Sequence, residues 1–171
     1  MSHLSIRIKR HADGSAALTC TRPDGSVTWQ RQQGKLGLVF PTHDLTHYAV
    51  ETVMGYKNGF YGLVAAGWEM KDFAAPWPRG PIPREAREVE LLIGLFDVER
   101  RTGGNWSAAD LRAQGEIYAA SNSSGRKAVA MPSLTDEDVS RIRAVLRDVL
   151  SRWAATPPGD ALELAFPVAG K

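Results

Sequence analysis

Cysteine is nearly absent from this chain of 171 residues, which has one, Cys20. A single thiol forms no disulfide within the chain and builds no cysteine-rich zinc site. Long apolar runs are missing too, because the longest segment without a charged residue, 58–68, is too short to cross a bilayer. The first eleven residues include Arg7, Lys9 and Arg10 and no apolar block follows them, so no secretory signal is predicted. We therefore predict a soluble, cytoplasmic protein that does not enter a membrane.

An excess of charge of one sign is also lacking, since 21 basic residues stand against 19 acidic ones. The first forty residues hold six of the basic residues against Asp13 and Asp24. Basic residues on strands commonly prevent sheet edges from associating, and Trp29 is the aromatic residue near them that could stack on a base. Nucleic acid is therefore not predicted as a partner. A small molecule, a protein partner or a homo-oligomer remains open.

Alternation of apolar and polar residues predicts three antiparallel strands in the first forty residues. Turns are expected at 13–14 and 23–25, where Asp-Gly pairs tolerate positive φ. A fourth strand with the same alternation is predicted near the carboxyl end, joined to the first three. Each strand places apolar residues on one face: Ile6 and Ile8; Leu18 and Cys20; Val27 and Trp29; Leu162, Leu164 and Phe166.

Between these strands the apolar period becomes helical from Pro41 onward. Thr42 or Asp44 is the expected cap of the first helix and Gly55 its stop, and Thr135 with Asp138 is the expected cap of the last. Ser107 is the expected cap of the fourth helix, with Leu111, Ile117 and Tyr118 as its apolar contacts. The helices are predicted over 42–54, 60–70, 84–101, 107–120 and from 135 to the prolines at 157–158. This order predicts a single α+β domain over residues 1–171, with the meander and the last strand packed against about five helices.

One helical segment carries most of the ionisable groups that could do chemistry. His43, Asp44, His47 and Glu51 fall on one polar face of the first predicted helix. Two histidines four residues apart are the spacing by which one helix holds a divalent transition metal such as zinc. Asp44 and Glu51 are the candidate catalytic carboxylates, as ligand or base. The third ligand must come from elsewhere, and the candidates are His3, His11, Glu69 or a carboxylate on the third helix.

Residues 43–47 resemble the H-E-x-x-H motif of metalloproteases, with Asp44 in place of the glutamate. Aspartate is one methylene shorter, so a base role through a metal-bound water would need a different geometry. The resemblance covers five residues and assigns no family. Two alternatives need no metal: Asp44 near the positive end of the helix dipole with His47 and Glu51 in contact one turn apart, or a His–Asp acid–base pair.

Aromatic residues are concentrated just after this helix. Tyr56, Phe60, Tyr61 and Trp68 are the candidate residues of a small-molecule pocket, and the alternative is that they belong to the core. A polar loop at 122–127 could receive a phosphate or carboxylate, or be a surface connection.

Two functions follow from these patterns. The first is a non-enzymatic module that binds a small ligand or a protein. The alternative is a metal-dependent, hydrolase-like enzyme with His43 and His47 as ligands. They differ in whether the histidines face a cleft together with a third ligand.

Overall fold

The computed structural model describes residues 2–121 and 129–168, and within them the predicted α+β architecture is confirmed. The polar loop predicted at 122–127 lies outside the described residues. The strands are β1 His3–Arg10, β2 Ala16–Thr21, β3 Val27–Gln32 and β4 Ala161–Pro167. The helices are α1 Lys35–Met54, α2 Phe60–Ala65, α3 Arg84–Thr102, α4 Ala108–Ser121 and α5 Asp136–Ala154, with a short 3-10 helix at Met70–Phe73.

The four strands form one antiparallel sheet in the order β3-β2-β1-β4. Ile6 of β1 lies opposite Cys20 of β2 and Leu164 of β4, and all three are buried. The register therefore builds continuous apolar rows on the face that the helices cover. The last strand joins β1, as predicted.

Strand β3 alternates as expected, but its apolar side chains face outward. Val27 and Trp29 are exposed, whereas Thr28 and Gln32 are buried. The inward positions make polar contacts: the backbone N–H of Met70 donates to the hydroxyl of Thr28, and Gln32 donates to a carboxylate on α1. Hydrogen bonds to Met70 and to α1 therefore hold the inner face of β3.

The first helix begins earlier than predicted. We expected it to start after Thr42, but α1 begins at Lys35 and includes Pro41 in its interior. Gly37 fixes this first turn on the sheet, because a Cβ there would lie 2.7 Å from the carbonyl oxygen of Gln32. The other end is as predicted, since Gly55 adopts the left-handed conformation that ends the helix.

The second helix is shorter than predicted, because α2 ends at Ala65 rather than near Met70. Gly67 has φ +105°, which terminates the helical path, and the 3-10 helix follows with Glu69 and Asp72 as a capping box. The predictions for α3 and α5 are confirmed to within a residue or two, including the capping box of Thr135 and Asp138.

Helix α4 confirms its predicted cap, with Ser107 and Asp110 exchanging hydrogen bonds. Leu111 is buried, but Ile117 and Tyr118 are exposed, so their predicted apolar contacts are wrong. Helix α4 packs on α3, and its Gly115 lies under Met131, whose side chain would be 2.3 Å from a Cβ there.

Helix α1 is the element that positions the site. It contacts the sheet, α3 and α5, and its apolar residues Leu45, Ala49 and Val50 are fully buried. In the described part of the chain no helix is both long enough and apolar enough to cross a membrane.

Candidate metal centre

Two histidines of α1 and one glutamate of α3 converge at the contact between these helices. His43 and His47 are one helical turn apart, so both imidazoles project from the same side of α1. Nε2 of His43 lies 3.2 Å from Oε1 of Glu90, and Nε2 of His47 lies 2.9 Å from Oε2 of the same carboxylate. One ligating atom from each residue can be chosen so that all three lie within 4.8 Å of one another. This is the spacing of a site that could hold one metal ion.

The opposite ring nitrogens bind two further carboxylates. Nδ1 of His43 lies 2.7 Å from Oδ2 of Asp97 on α3, and Nδ1 of His47 lies 2.9 Å from Oε1 of Glu51 on α1. A carboxylate that accepts a hydrogen bond from Nδ1–H fixes the tautomer in which Nε2 is the free ligand atom. Metal-binding histidines are commonly held in this way. Both Nε2 atoms are thereby directed to the Glu90 side.

Glu51 is fixed from three directions. Its second oxygen, Oε2, accepts hydrogen bonds from the backbone N–H groups of Tyr61 (3.0 Å) and Gly62 (3.3 Å). The chain passes so close that a Cβ on Gly59 would lie 2.5 Å from the Glu51 carboxylate carbon. The carboxylate is fully buried and both oxygens are hydrogen-bonded, which fits a group that orients His47.

Asp97 is held by side chains on both helices. Its Oδ1 lies 2.9 Å from the Arg100 guanidinium on α3 and 3.0 Å from the Thr46 hydroxyl on α1. These contacts direct Oδ2 at His43. Each imidazole therefore has its own anchored carboxylate.

The carboxylates change the pKa of both histidines. Burial alone would lower the pKa of His43, but its hydrogen bonds to Asp97 and Glu90 outweigh burial and raise the pKa to about 9. Burial would also lower the pKa of His47, but its hydrogen bonds to Glu51 and Glu90 outweigh burial and raise the pKa to about 10. Desolvation opposes a fall in the pKa of Glu90, but both imidazoles hold it well below its usual range. Without a metal, both histidines are therefore imidazolium ions at neutral pH.

The charge of this cluster is suited to the exchange of protons for a metal. Three carboxylates, Glu51, Glu90 and Asp97, carry three negative charges, and two imidazolium ions reduce the total to minus one. Replacing the two Nε2 protons with one divalent cation gives the same total. The buried surroundings therefore experience no change in net charge on metal binding.

The cluster opens to solvent on the α3 side. The Glu90 side chain is 56% exposed and that of His43 21%, while His47 and Glu51 are buried. The ring of Phe60 covers the inner side of His47, with its centroid 5.5 Å away. An ion between the three ligands would thus be protein-bound on one side and reachable by water on the other.

Asp44 does not share this environment, although the helical pattern placed it on the same polar face. Its side chain is buried, and Oδ2 accepts a hydrogen bond of 2.6 Å from Gln32 of β3. Burial raises the pKa of Asp44 to about 6, and the Gln32 hydrogen bond opposes this rise only in part. Asp44 therefore lies on the sheet side of α1, and a catalytic role for Asp44 stays a prediction.

Three of the four aromatic residues predicted to line a pocket form one cluster with Phe73, since Phe60 contacts Tyr61 and Phe73, and Trp68 contacts Phe73. A small-molecule pocket lined by the four stays a prediction. Tyr61 is fully buried, and its hydroxyl donates to the backbone oxygen of Asp44. Phe60 contacts His47, while Trp68 stacks on Phe73. Tyr56 alone of the four lines an open cavity of about 910 Å³ beside the end of α1.

The third ligand fits one of the predicted sources, a carboxylate on the third helix. Glu69 instead pairs with Arg22, and His3 and His11 belong to β1 and the turn after it. Sequence reasoning did not single out Glu90 itself and missed Asp97. They are seven residues apart, so both lie on one face of α3.

No protein family, curated protein or solved structure matches this chain. The functional argument therefore rests on the chemistry of these side chains.

Proposed function

We propose that the chain binds one divalent transition metal ion, zinc by preference, and uses it for hydrolysis. Nε2 of His43, Nε2 of His47 and the carboxylate of Glu90 are the ligands. The observation that carries the proposal is the pair of carboxylates, Asp97 and Glu51, behind the two imidazoles. A purely structural ion pair needs one carboxylate for each histidine, whereas here both rings also share a third one.

The ligand set supports a catalytic rather than a structural ion. Structural zinc sites are closed by four protein ligands, whereas catalytic ones commonly use three, with two histidines and a glutamate as one recurring set. The exposed side of Glu90 leaves room for a water molecule as the fourth ligand. Zinc in such a site acts as a Lewis acid and lowers the pKa of bound water to about 7.

The residues of the chain divide the remaining work. Glu51 and Asp97 accept hydrogen bonds from the Nδ1–H groups, which leaves the Nε2 lone pairs available to a metal ion. The ring of Phe60 packs against His47, and the exposed Glu90 is the ligand that solvent reaches. The same two-histidine, one-carboxylate set also suits non-haem iron(II), and the identity of the ion is one result of the experiment below.

The test uses the four histidines as matched pairs. Untagged protein is analysed for metal by elemental mass spectrometry and titrated with zinc by calorimetry. We expect one zinc per chain in the wild type and in His3→Ala/His11→Ala, and loss of binding in His43→Ala/His47→Ala. Cobalt(II) replacing zinc should give visible absorption bands that the second variant lacks.

Circular dichroism and urea unfolding show whether each variant is folded. Glu90→Gln changes an exposed side chain and provides a milder variant, with weakened binding in a folded protein expected. Equal zinc binding by the two double variants, His3→Ala/His11→Ala and His43→Ala/His47→Ala, would contradict the proposal. A screen of ester, amide and phosphoester substrates with the zinc-loaded and chelator-treated protein then tests hydrolysis.

A module that binds a small ligand without a metal is the second candidate. The cavity of about 910 Å³ supports it, with Tyr56, Lys57, Gly62 and Phe166 among its lining residues. A compound screen by thermal shift, compared between wild type and Tyr56→Ala, tests this candidate. A ligand whose stabilising effect disappears in the variant would support it.

A further inference from the structure

The cavity of about 910 Å³ beside the end of α1 is lined by none of the three proposed metal ligands. Its walls come mainly from the turn between β2 and β3, the last turns of α1, helix α2 and the end of β4. This volume lies within the range of cavities that bind small molecules. The cavity is therefore a candidate ligand site separate from the metal centre.

One part of the lining is apolar. Phe166, Pro167 and Val168 contribute from the end of β4 and the residue after it, and Ala65 and Ala66 from the end of α2. Small-molecule sites commonly combine such a surface with a few polar groups that fix the orientation of the ligand. This part of the cavity can contact the apolar body of a ligand.

Most of the charged groups in the lining have partners within the described chain. Arg22 pairs with Glu69 at 3.1 Å and donates to two backbone oxygens at 2.6 Å each. Asp24 accepts two hydrogen bonds from Ser26, and both oxygens of Glu51 are hydrogen-bonded as described above. The three carboxylates are thus satisfied by donors of the protein and do not require a cationic ligand.

Two donors of the lining lack a partner among the described residues. Lys57, just after the end of α1, is exposed and forms no ion pair with any residue that the structure describes. The hydroxyl of Thr52 is buried and has no hydrogen-bond partner there. Buried hydroxyls normally have one, so an acceptor from outside the described chain is expected. Thr52 as a whole is partly exposed and lines the cavity, so a rotation about χ1 turns its hydroxyl toward a ligand.

We infer that the cavity binds a small monocarboxylic acid with an apolar body. The carboxylate pairs with the ammonium group of Lys57 and accepts a hydrogen bond from Thr52, while the body lies against Phe166 and Ala66. One negative charge matches the one unpaired cation. A phosphate would bring more negative charge into a cavity that Asp24 and two glutamates also line.

This inference rests on the second candidate function above, a cavity that binds a small molecule, and gives that molecule a chemical class. It does not depend on the metal site, since its residues are not metal ligands. The two can therefore succeed or fail separately.

The test compares three head groups on one apolar body: phenylacetate, phenylacetamide and phenethylamine. Hexanoate, hexanamide and hexylamine repeat the comparison with an aliphatic body. Affinities are measured by NMR titration of isotope-labelled protein, treated with a chelator so that no metal ion binds the carboxylate. We expect the acids to bind about tenfold more tightly than the amides, because a charge-assisted hydrogen bond is lost in the amides. The amines should bind most weakly.

Three variants and one control locate the ligand. Lys57→Gln should weaken the acids about tenfold and leave the amides unchanged. Lys35→Gln is the matched control, since Lys35 is exposed at the other end of α1 and does not line the cavity, and it should keep the wild-type affinities. Thr52→Val keeps the shape of the side chain and should weaken the acids severalfold without lowering the urea midpoint, because its hydroxyl has no partner to lose. Ala66→Phe should weaken every probe by filling the cavity.

The outcomes separate this inference from both candidate functions. Acids and amides of equal affinity would overturn the inference and leave a small-molecule cavity standing, and so would a preference for the amines. Absence of binding by all six probes, or acid binding that Ala66→Phe does not weaken, would also overturn it. Equal losses in Lys57→Gln and Lys35→Gln would contradict the role of Lys57. Zinc titration of the same variants, which should match the wild type, tests the metal site independently.

Discussion

Helix α1 presents ionisable side chains to two different neighbours, and the two environments are opposite. Toward α3, His43 and His47 each lie between two carboxylates, and their pKa values are raised to about 9 and about 10. Toward the sheet, Asp44 has one amide donor, Gln32, and its pKa is raised to about 6. Charge pairing outweighs burial on the first side, and burial outweighs hydrogen bonding on the second.

On the α3 side, His43 and His47 stay charged and can exchange their protons for a metal ion. On the sheet side, burial favours the neutral form of Asp44. On the α3 side a cation is favourable in the place where the two Nε2 protons lie. On the sheet side the ionised form of Asp44 is unfavourable, and a neutral side chain would make the folded protein more stable. The following predictions test that contrast, from the largest effect to the smallest.

Removing both histidines should have the largest effect. His43→Ala/His47→Ala deletes two of three ligands and should weaken zinc binding at least about a thousandfold. Calorimetry against a competing chelator measures this loss. Asp44→Asn, on the other side of the helix, should change zinc affinity by less than about threefold. A similar loss in both variants would break the contrast between the two sides.

The pH dependence of zinc binding should be steep. Both histidines are protonated below about pH 9, so each zinc ion bound releases two protons. Zinc affinity should therefore rise about a hundredfold for each unit between about pH 6 and about pH 8. Titrations in buffers of different ionisation enthalpy count the protons directly. Release of no proton would show that the imidazoles do not exchange protons for the metal.

Replacing Asp97 with asparagine should weaken zinc binding less than removing both histidines does. Asp97→Asn keeps the shape of the side chain but removes the charge that holds the Nδ1 proton of His43. Loss of such a partner typically lowers metal affinity about tenfold to a hundredfold. The variant is compared with Asp44→Asn, the same chemical change on the sheet side. Equal zinc affinities of the two variants would contradict the orienting role of Asp97.

Asp44→Asn should stabilise the protein at neutral pH. Because the folded pKa of Asp44 is raised from 3.8 to about 6, its contribution to stability is fully present below about pH 4 and is lost as the pH rises through about 6. At about pH 8 the variant should gain up to about 3 kcal/mol in the free energy of unfolding, and almost nothing at about pH 4. Asparagine keeps an acceptor oxygen for the N–H of Gln32 that now donates to Asp44.

Urea unfolding of the metal-free protein measures this effect at both pH values. In the wild type a second pH range provides a reference. The raised pKa values of His43 and His47 contribute stability that is fully present below about pH 6.5. That contribution is lost as the pH rises through about 9 to 10. A gain from Asp44→Asn that persists at about pH 4 would mean that a different contact is responsible.

Local sequence patterns predicted most of the secondary structure. Alternation and Asp-Gly turns gave the meander, and the capping box of Thr135 and Asp138 gave the start of α5. They failed where a distant contact decides. Helix α1 begins before Pro41, where Gly37 packs against Gln32. Val27 and Trp29 face outward while Thr28 and Gln32 take the inner positions of β3, held by hydrogen bonds to Met70 and Asp44.

The candidate site divides in the same way. The spacing of His43 and His47 placed two ligand atoms on one side of a helix, and the same helical period linked His47 with Glu51. It could not separate Asp44 from them, because a polar face does not say which neighbour covers which part of it. Metal binding, hydrolysis, homo-oligomer formation and cytoplasmic location stay predictions.

The sequence by itself determined the periodic features of this protein: the strands, most of the helix ends and the pairing of groups one turn apart, because these depend on residues near one another in the chain. Only the tertiary structure decided that Glu90 and Asp97, more than forty positions away, meet the histidines while Asp44 meets the sheet. The reason is physical. Whether a carboxylate is paired with a charge or buried beside an amide depends on how α1 packs between α3 and the sheet, which local periodicity does not encode.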